Sequence, residues 1–487
     1  MTISERNGTV VLTVAIVGGG LTGAAVALHL RNSWKRPQDA LEILVYEPRA
    51  EIGRGLAYDT TDGAHRVNVP VGKMSLDPQD EGAFERWFFA EGEDRADPGA
   101  LAEDGRTYPR REAFGRYVHA RLLPHLRAGR IRHVQQRVER VGFESGHYVL
   151  GTVDGGEQRA DVLVVATSHP PPSPPARLSV LGGDGRFIAD PTRPDALDGI
   201  GPEDRVLVVG SGLTAADVIA SLDAAGHRGA ITVFSRRGLR SRGHALETQA
   251  PRGDFVSRPA TTAAALVRRV RTEVRAAAAE GIGWQAVFDA LRAQGGQIWR
   301  ALPLAERQRF VRHLRPFWDV HRFRIAPQVR AVADRLTEEG RLRFLAASLA
   351  HVDYAGPQSP ISVGLRLRNG GAIDEADYDA IVVTTGPAHR SVLAGQPYLQ
   401  SLNGLGLLRL DDTGLGLACS DNSRALDLWG APVPGLYIAG PLARGTFGEL
   451  MGLPQVNEHA VLVAGEIRRE LEKRLSWLAV QKPALSR

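Results

Sequence analysis

V-A-I-V-G-G-G-L-T-G, Val14 to Gly23, is an apolar run that ends in three consecutive glycines and then turns helical. Gly18, Gly20 and Gly23 fall in the G-x-G-x-x-G positions of a dinucleotide-binding turn. In that geometry the first glycine permits a tight turn, the second lets backbone approach a pyrophosphate, and the third lets helix and strand pack closely. The helix that starts there aims free N–H groups and its positive dipole end at phosphate. Residues 12 to 48 read as strand, helix, strand, with Glu47 at the end of the second strand. An acidic residue there accepts hydrogen bonds from an adenosine ribose and disfavours a 2′-phosphate; the alternative is a solvated strand end.

The motif recurs. R-V-L-V-V-G-S-G-L-T-A-A-D from Arg205 keeps Gly210 and Gly212 and places Thr214 and Ala215 at the helix start. Its second strand, I-T-V-F, runs into Ser235, Arg236, Arg237 and Gly238. Arginine at that position is the expected device for a ribose 2′-phosphate, so this unit reads as an NADPH site, against the alternative of two exposed arginines in an arginine-rich chain.

Composition sets the outer limits. A chain of 487 residues exceeds what one core usually supports. With 43% apolar and 24% charged residues it reads as globular, and no apolar run approaches a membrane span. The start of the chain lacks a signal-peptide pattern, so a cytoplasmic protein is expected, with no membrane partner. The net charge of +5 comes from interspersed charges of both signs, almost all the cations being arginine, without a nucleic-acid-binding motif. The single cysteine, Cys419, excludes an internal disulfide, a C-x-x-C pair and a cysteine-ligated zinc site, and no metal is expected.

Between the two glycine turns, residues 133–165 read as a small meander whose last strand returns to the first sheet, followed by the stiff tract Pro170 to Pro175. From about 245 to 336 the pattern is helical, with Leu266, Val267, Val270 and Val274 on one face. The densest functional signal lies at its end: H-L-R-P-F-W-D-V-H-R-F-R. His313, Arg315, Asp319, His321 and Arg322 are the catalytic candidates there. The arginines suit a carboxylate clamp and His313, Asp319 or His321 suit proton transfer; a polar network locking the helices in place explains the same residues equally well. The late strands, through Y-D-A-I-V-V-T-T-G and G-L-Y-I-A-G-P, lack a glycine fingerprint and are expected to complete the first domain. That gives an α/β fold of two Rossmann-like dinucleotide-binding domains. Residues 1–200 and 342–487 form the FAD domain, and 201–341 an inserted NADPH domain carrying the helical insert.

G-R-G-L-A-Y, N-V-P-V-G-K-M-S, Y-P-R-R-E-A-F-G-R-Y, G-S-G-L-T-A-A-D, S-R-R-G and H-L-R-P-F-W-D-V-H-R together resemble a bacterial family of FAD/NAD(P)-binding flavoproteins. That family is similar to the flavin-dependent nitrosuccinate synthases and, more distantly, to amine N-hydroxylating monooxygenases. The resemblance implies FAD held by Gly18, Gly20, Gly23, Glu47, Gly55, Asn68, Met74, Gly386, Gly440 and Pro454. It implies NADPH held by Gly210, Gly212, Thr214, Ser235, Arg236 and Arg237. The implied reaction is N-oxygenation of a small amine or amino acid, an anionic amino acid among the candidates, with molecular oxygen and a C4a-hydroperoxyflavin. Two departures stand out: Ser168 replaces the glycine of the usual A-T-G turn, and Pro441 occupies a position where related reductases place an aspartate. An NADPH oxidase or reductase without oxygen transfer, and a redox sensor that holds FAD without turnover, remain as alternatives. A disulfide reductase needs a second thiol.

Overall fold

A computed structural model describes residues 5–6 and 9–485. Two parallel sheets organise it. The first has six strands in the order Arg424–Leu426, Pro432–Ile438, Val162–Val165, Leu12–Val17, Leu41–Tyr46, Arg132–Val134. Its central strands are buried on both faces, which is why they read as unbroken apolar runs. Side chains alternate between two cores: Val14 and Ile16 face the helices Leu21–Ser33 and Gln455–Leu485, while Ala15 and Val17 face the meander and the Tyr398–Leu402 region. The meander is Val138–Glu144, His147–Thr152 and Glu157–Ala160, paired antiparallel as the alternating pattern implies.

The second sheet has seven strands, in the order Phe187–Ile188, Ala380–Val383, Val206–Val209, Ile231–Ser235, Leu342–Asp353, Ile361–Leu367, Ile373–Tyr378. This corrects the expected assignment of the strands between 342 and 383 to the first domain, while Arg424–Leu426 and Pro432–Ile438 do join the first sheet. Leu342–Ala346 pairs parallel with Ile231–Ser235, and Ala380–Val383 pairs parallel with Val206–Val209. The physical reason is visible in a second repeat. A-D-V-L-V-V-A-T-S and Y-D-A-I-V-V-T-T-G each close a sheet beside its own glycine strand. Lacking a fingerprint, such a strand carries no mark of which sheet it joins. The hairpin Ile361–Tyr378 continues the sheet antiparallel, and its Ile361, Val363 and Leu365 cover Leu207 and Val209.

The chain therefore crosses between the two units at residues 166–175 and again at 384–391. The crossings run side by side, joined by an antiparallel bridge between Pro172 and Pro387. The helical insert is Ala263–Ala279, Trp284–Ala293, Gly295–Ala301, Leu304–His313 and Arg315–Arg322, around a small core of Phe255, Leu266, Val287, Leu291 and Leu302. Its first helix is capped by Thr262, whose hydroxyl accepts from the Ala265 N–H. Residues 245–262 contain no regular element. The next helix, Pro327–Glu338, belongs to the sheet instead: Ala333 and Leu336 pack with Val206, Val208 and Ile231. Among the described residues no helix is long and apolar enough to cross a membrane.

Candidate functional site

Each glycine turn is built by sterics. Gly18 sits at φ +104°, and a Cβ there would lie 2.7 Å from the Ala166 carbonyl carbon. Gly210 repeats this at φ +117° against Thr384. In both units the start of the crossing wedges against the turn, which only glycine tolerates. The helices Leu21–Ser33 and Leu213–Ala224 then begin without a side-chain cap and without an acidic residue in the first turn. Their leading N–H groups are left as donors with a positive field, the environment a pyrophosphate requires. Gly55 packs against Gly20, with a Gly20 Cβ placed 3.2 Å from the Gly55 Cα.

Glu47 is buried at the end of its strand. Its carboxylate accepts from the Gly19 and Arg49 N–H groups, each at 3.1 Å, so it braces the turn as well as facing outward from it. Gly440 donates its N–H to His459 Nδ1 at 3.1 Å, and His459 Nε2 meets the Ser423 hydroxyl at 3.0 Å. Burial alone drives the His459 pKa down to about 4, so this histidine is a neutral acceptor that fixes the Gly440 turn. Gly386 lies in the second crossing at φ +78°. Pro454 directly precedes the helix Gln455–Leu485.

One cavity lies where the units meet, and a second lies within the second unit and its insert. A cleft of about 340 Å³ is lined from the first unit by Asn68, Lys73, Met74 and Leu453, and from the second by Leu213 and Thr214. The insert adds Arg292 and Arg322. A second cavity, about 350 Å³, adjoins Gly212 and is lined by Arg240, Arg242, Arg330 and Phe344. Arg111 pairs with Asp217 at 2.8 Å, and the Ser221 hydroxyl donates to Asp62 at 2.5 Å, tying the units beside the cleft.

Of the five catalytic candidates, Arg322 alone lines the cleft. Its guanidinium is committed to Glu449 at 2.8 Å with both side chains buried, so it is not a free clamp. Arg315 donates to His389 at 2.8 Å and pairs with Asp319 at 3.3 Å, and Arg444 approaches Asp319 at 3.7 Å. This cluster lies against the two crossings, where His169 and His389 meet edge to face at 4.5 Å. Burial first, then the neighbouring charges, holds His169 down to about 4, whereas burial raises Asp319. His321 is stacked on Phe288 at 4.7 Å and bonded to the Phe317 carbonyl at 2.7 Å, and His313 is exposed at a helix end. Arg315, Asp319, His321 and His313 therefore do not line the cleft. An eight-residue helix has to disperse such a dense polar segment around its axis, and only one edge reaches the cleft.

On the nucleotide side, Ser235 accepts from the Ser211 hydroxyl at 2.8 Å and from the Gly238 N–H at 3.0 Å. Arg236 is exposed and Arg237 lies over the Phe317 ring at 5.1 Å; neither lines the cavity at Gly212. Arg240 and Arg330 share Asp334, at 2.9 and 3.1 Å, which leaves Arg242 as the cavity's arginine without a carboxylate partner.

Two cleft cations were absent from the sequence-based candidates. Lys73 has no acidic partner among the described residues, and its V-G-K-M-S motif was the available signal. Arg292 donates to the Leu453 carbonyl and, at 3.1 Å, to Gln455, with no carboxylate in contact. Burial, then Arg322, lowers its pKa to about 10, so it stays charged at neutral pH. Of the three cleft carboxylates, Asp217 and Asp289 are taken by Arg111 and Arg324, and Glu247 has no ion pair among the described residues. Cys419 is buried, its thiol pushed up to about 12 by burial. It is expected to stay unlabelled by a maleimide at neutral pH until the protein unfolds, a contrast read directly by mass spectrometry.

A family model described as FAD-NAD(P)-binding matches residues 15–170. A search of curated protein sequences finds no significant match. Among solved structures, the chain is similar to ornithine hydroxylase from Pseudomonas aeruginosa, at 18% identity and TM-score 0.64, covering 95% of this chain and 100% of that one. It is similar to ornithine N-hydroxylase from Kutzneria sp. 744, at 16% and 0.59, covering 95% and 99%. L-lysine 6-monooxygenase from Pseudomonas syringae gives 19% and 0.59, covering 94% and 99%. Residues 15–170 are thus an FAD-NAD(P)-binding segment within a chain that carries, over nearly its whole length, the two-unit fold of these hydroxylases.

Proposed function

We propose that the protein is an FAD- and NADPH-dependent monooxygenase that N-oxygenates a small amine bearing an anionic group, an amino acid in the simplest case. The observation that carries this reading is the cleft between the two units. It is walled by Asn68 and Met74 of the first unit and by Leu213 and Thr214 at the helix start of the second, and it presents Lys73 and Arg292, which have no carboxylate partner among the described residues. The neighbouring solved structures include ornithine and lysine oxygenases and a cadaverine monooxygenase bound to FAD. The bound cofactors supply hydride transfer and oxygen activation. The protein contributes binding, orientation and exclusion of water.

The Gly18–Gly23 turn with Glu47 suits FAD, and the Gly210–Gly212 turn suits NADPH. Both have the uncapped helix start that a pyrophosphate fills. The N-terminus of the helix Gln455–Leu485 brings a positive dipole end to the floor of the cleft, beside Leu453. Arg292 adds a full charge at that point and ties the helix start to the insert through Leu453 and Gln455. A carboxylate-bearing amine entering the cleft meets Lys73 and Arg292 as charge-assisted donors. Dithiol chemistry has no support here, since the one cysteine is buried and strongly protonated.

The test is aerobic NADPH consumption by the FAD-loaded protein against a panel of acidic, neutral and basic amino acids. Coupled formation of an N-oxygenated product from an acidic member is expected. Peroxide formation independent of substrate contradicts it. On the nucleotide side, Arg242→Ala is expected to raise the NADPH KM about tenfold and leave the NADH KM within about twofold, the loss of one charge-assisted phosphate contact. Arg236→Ala is expected to change neither by more than about twofold.

A further inference from the structure

The two cavities share a wall. His244 lines both of them, and it belongs to the irregular stretch that leaves the second sheet for the insert. Its ring is held from the first unit by two contacts, and the adjacent backbone by a third. Nε2 lies 3.0 Å from the backbone carbonyl of Asn68. Tyr108 packs against it with ring centroids 5.3 Å apart. Arg106, paired with Asp104, donates to the carbonyl of the adjacent Ala245.

A backbone carbonyl only accepts hydrogen bonds, so Nε2 carries the ring proton and Nδ1 keeps an unshared lone pair. Burial first, then the Arg324 and Arg106 cations, lowers the His244 pKa to about 4, and the ring is neutral at physiological pH. The result is a fixed acceptor on the wall the cavities share, where Gln285 is the other side chain that lines both. Arg242, in the nucleotide cavity, and Arg324, in the cleft, only donate.

A dinucleotide whose phosphates rest on the second glycine turn has to send its other ring past this wall to reach the cleft. We propose that His244 is a positioning residue for the nicotinamide: Nδ1 accepts a hydrogen bond from the carboxamide NH2 and sets the ring at the junction of the two cavities. The carboxamide is the donor on that ring, and a fixed neutral histidine is its matching acceptor. The adenosine half, seated at Gly212, takes no part in this contact. The inference rests on the FAD and NADPH reading above.

Binding to the FAD-loaded protein, measured by titration calorimetry, separates the possibilities without turnover. His244→Ala is expected to weaken NADP+ about tenfold while leaving 2′,5′-ADP, which lacks the nicotinamide, within about twofold. His244→Gln, which restores an acceptor oxygen, recovers most of the loss. On the unaltered protein, the acetylpyridine analogue of NADP+, whose acetyl group cannot donate, is expected to bind about tenfold more weakly than NADP+. This arm holds even if a variant fails to fold. Equal weakening of NADP+ and 2′,5′-ADP, or full affinity for the acetylpyridine analogue, overturns the role of His244 and leaves the cofactor reading standing. Absence of NADP+ binding to the unaltered protein overturns both.

Discussion

Gly23→Ala is expected to yield protein that purifies without flavin and melts at a lower temperature than the unaltered chain. The Cβ of alanine would stand 1.9 Å from the Gly18 carbonyl oxygen and 3.2 Å from the Ile16 side chain. Neither neighbour can yield. Gly18 is itself pinned by Ala166 and Thr167, and its N–H is bonded to the Tyr46 carbonyl at 3.0 Å. Relief requires the helix Leu21–Ser33 to move off the sheet, along with the N–H groups it offers a pyrophosphate. Overpacking of this kind costs about 1–3 kcal/mol, and the stabilisation that bound cofactor lends the folded state is lost in addition. The flavin absorbance of the purified protein against its protein absorbance, and a thermal melt, check this. Stoichiometric flavin in the variant contradicts it.

Arg292→Ala is expected to raise KM for the acidic amine about ten- to a hundredfold, with the NADPH KM and flavin content unchanged. The estimate follows from charge-assisted hydrogen bonds in a desolvated site, about 1.5–3 kcal/mol. Arg292 qualifies because it is half-buried, charged, and bonded only to neutral groups, the Leu453 carbonyl and Gln455. Arg322 differs, although it lines the same cleft. Its charge is already matched by Glu449 in a buried pair, and removing it leaves an uncompensated carboxylate, so its loss reads out as stability instead. Steady-state kinetics with a lysine variant as control distinguish substrate anchoring from loss of the helix tie. Arg292→Lys keeps the charge and is expected to recover part of the KM, whereas kinetics unaltered by Arg292→Ala overturn the anchoring role.

The glycine turns were legible because steric exclusion leaves a mark in single residues. Gly18, Gly23 and Gly210 occupy places where any side chain collides, and their spacing survives translation into one dimension. The meander was legible for a similar reason, through alternation. Strand pairing was less so: Leu342–Asp353 and Ala380–Val383 are apolar whichever sheet they join, and only the parallel register with Ile231–Ser235 and Val206–Val209 decides it. The segment from His313 to Arg322 does not converge on the cleft, because density of polar residues along the chain is not convergence in space. Arg315 and Asp319 turn toward His389 and Arg444, and His321 toward Phe288. Conversely Lys73, His244 and Arg292 come from three distant segments, and no local spacing ties them together. His244 carries no periodic signal at all, since it sits in an irregular stretch defined by contacts from the other unit.

The central claim is that the cleft directs oxygen onto the nitrogen of an acid-bearing amine. Turnover of the FAD-loaded protein with NADPH and isotopically labelled dioxygen, with the amino acid panel and mass spectrometry of the products, tests it directly. The account predicts label in a new nitrogen–oxygen bond of an acidic substrate. NADPH oxidation that places all the label in peroxide or water with every amine would contradict it.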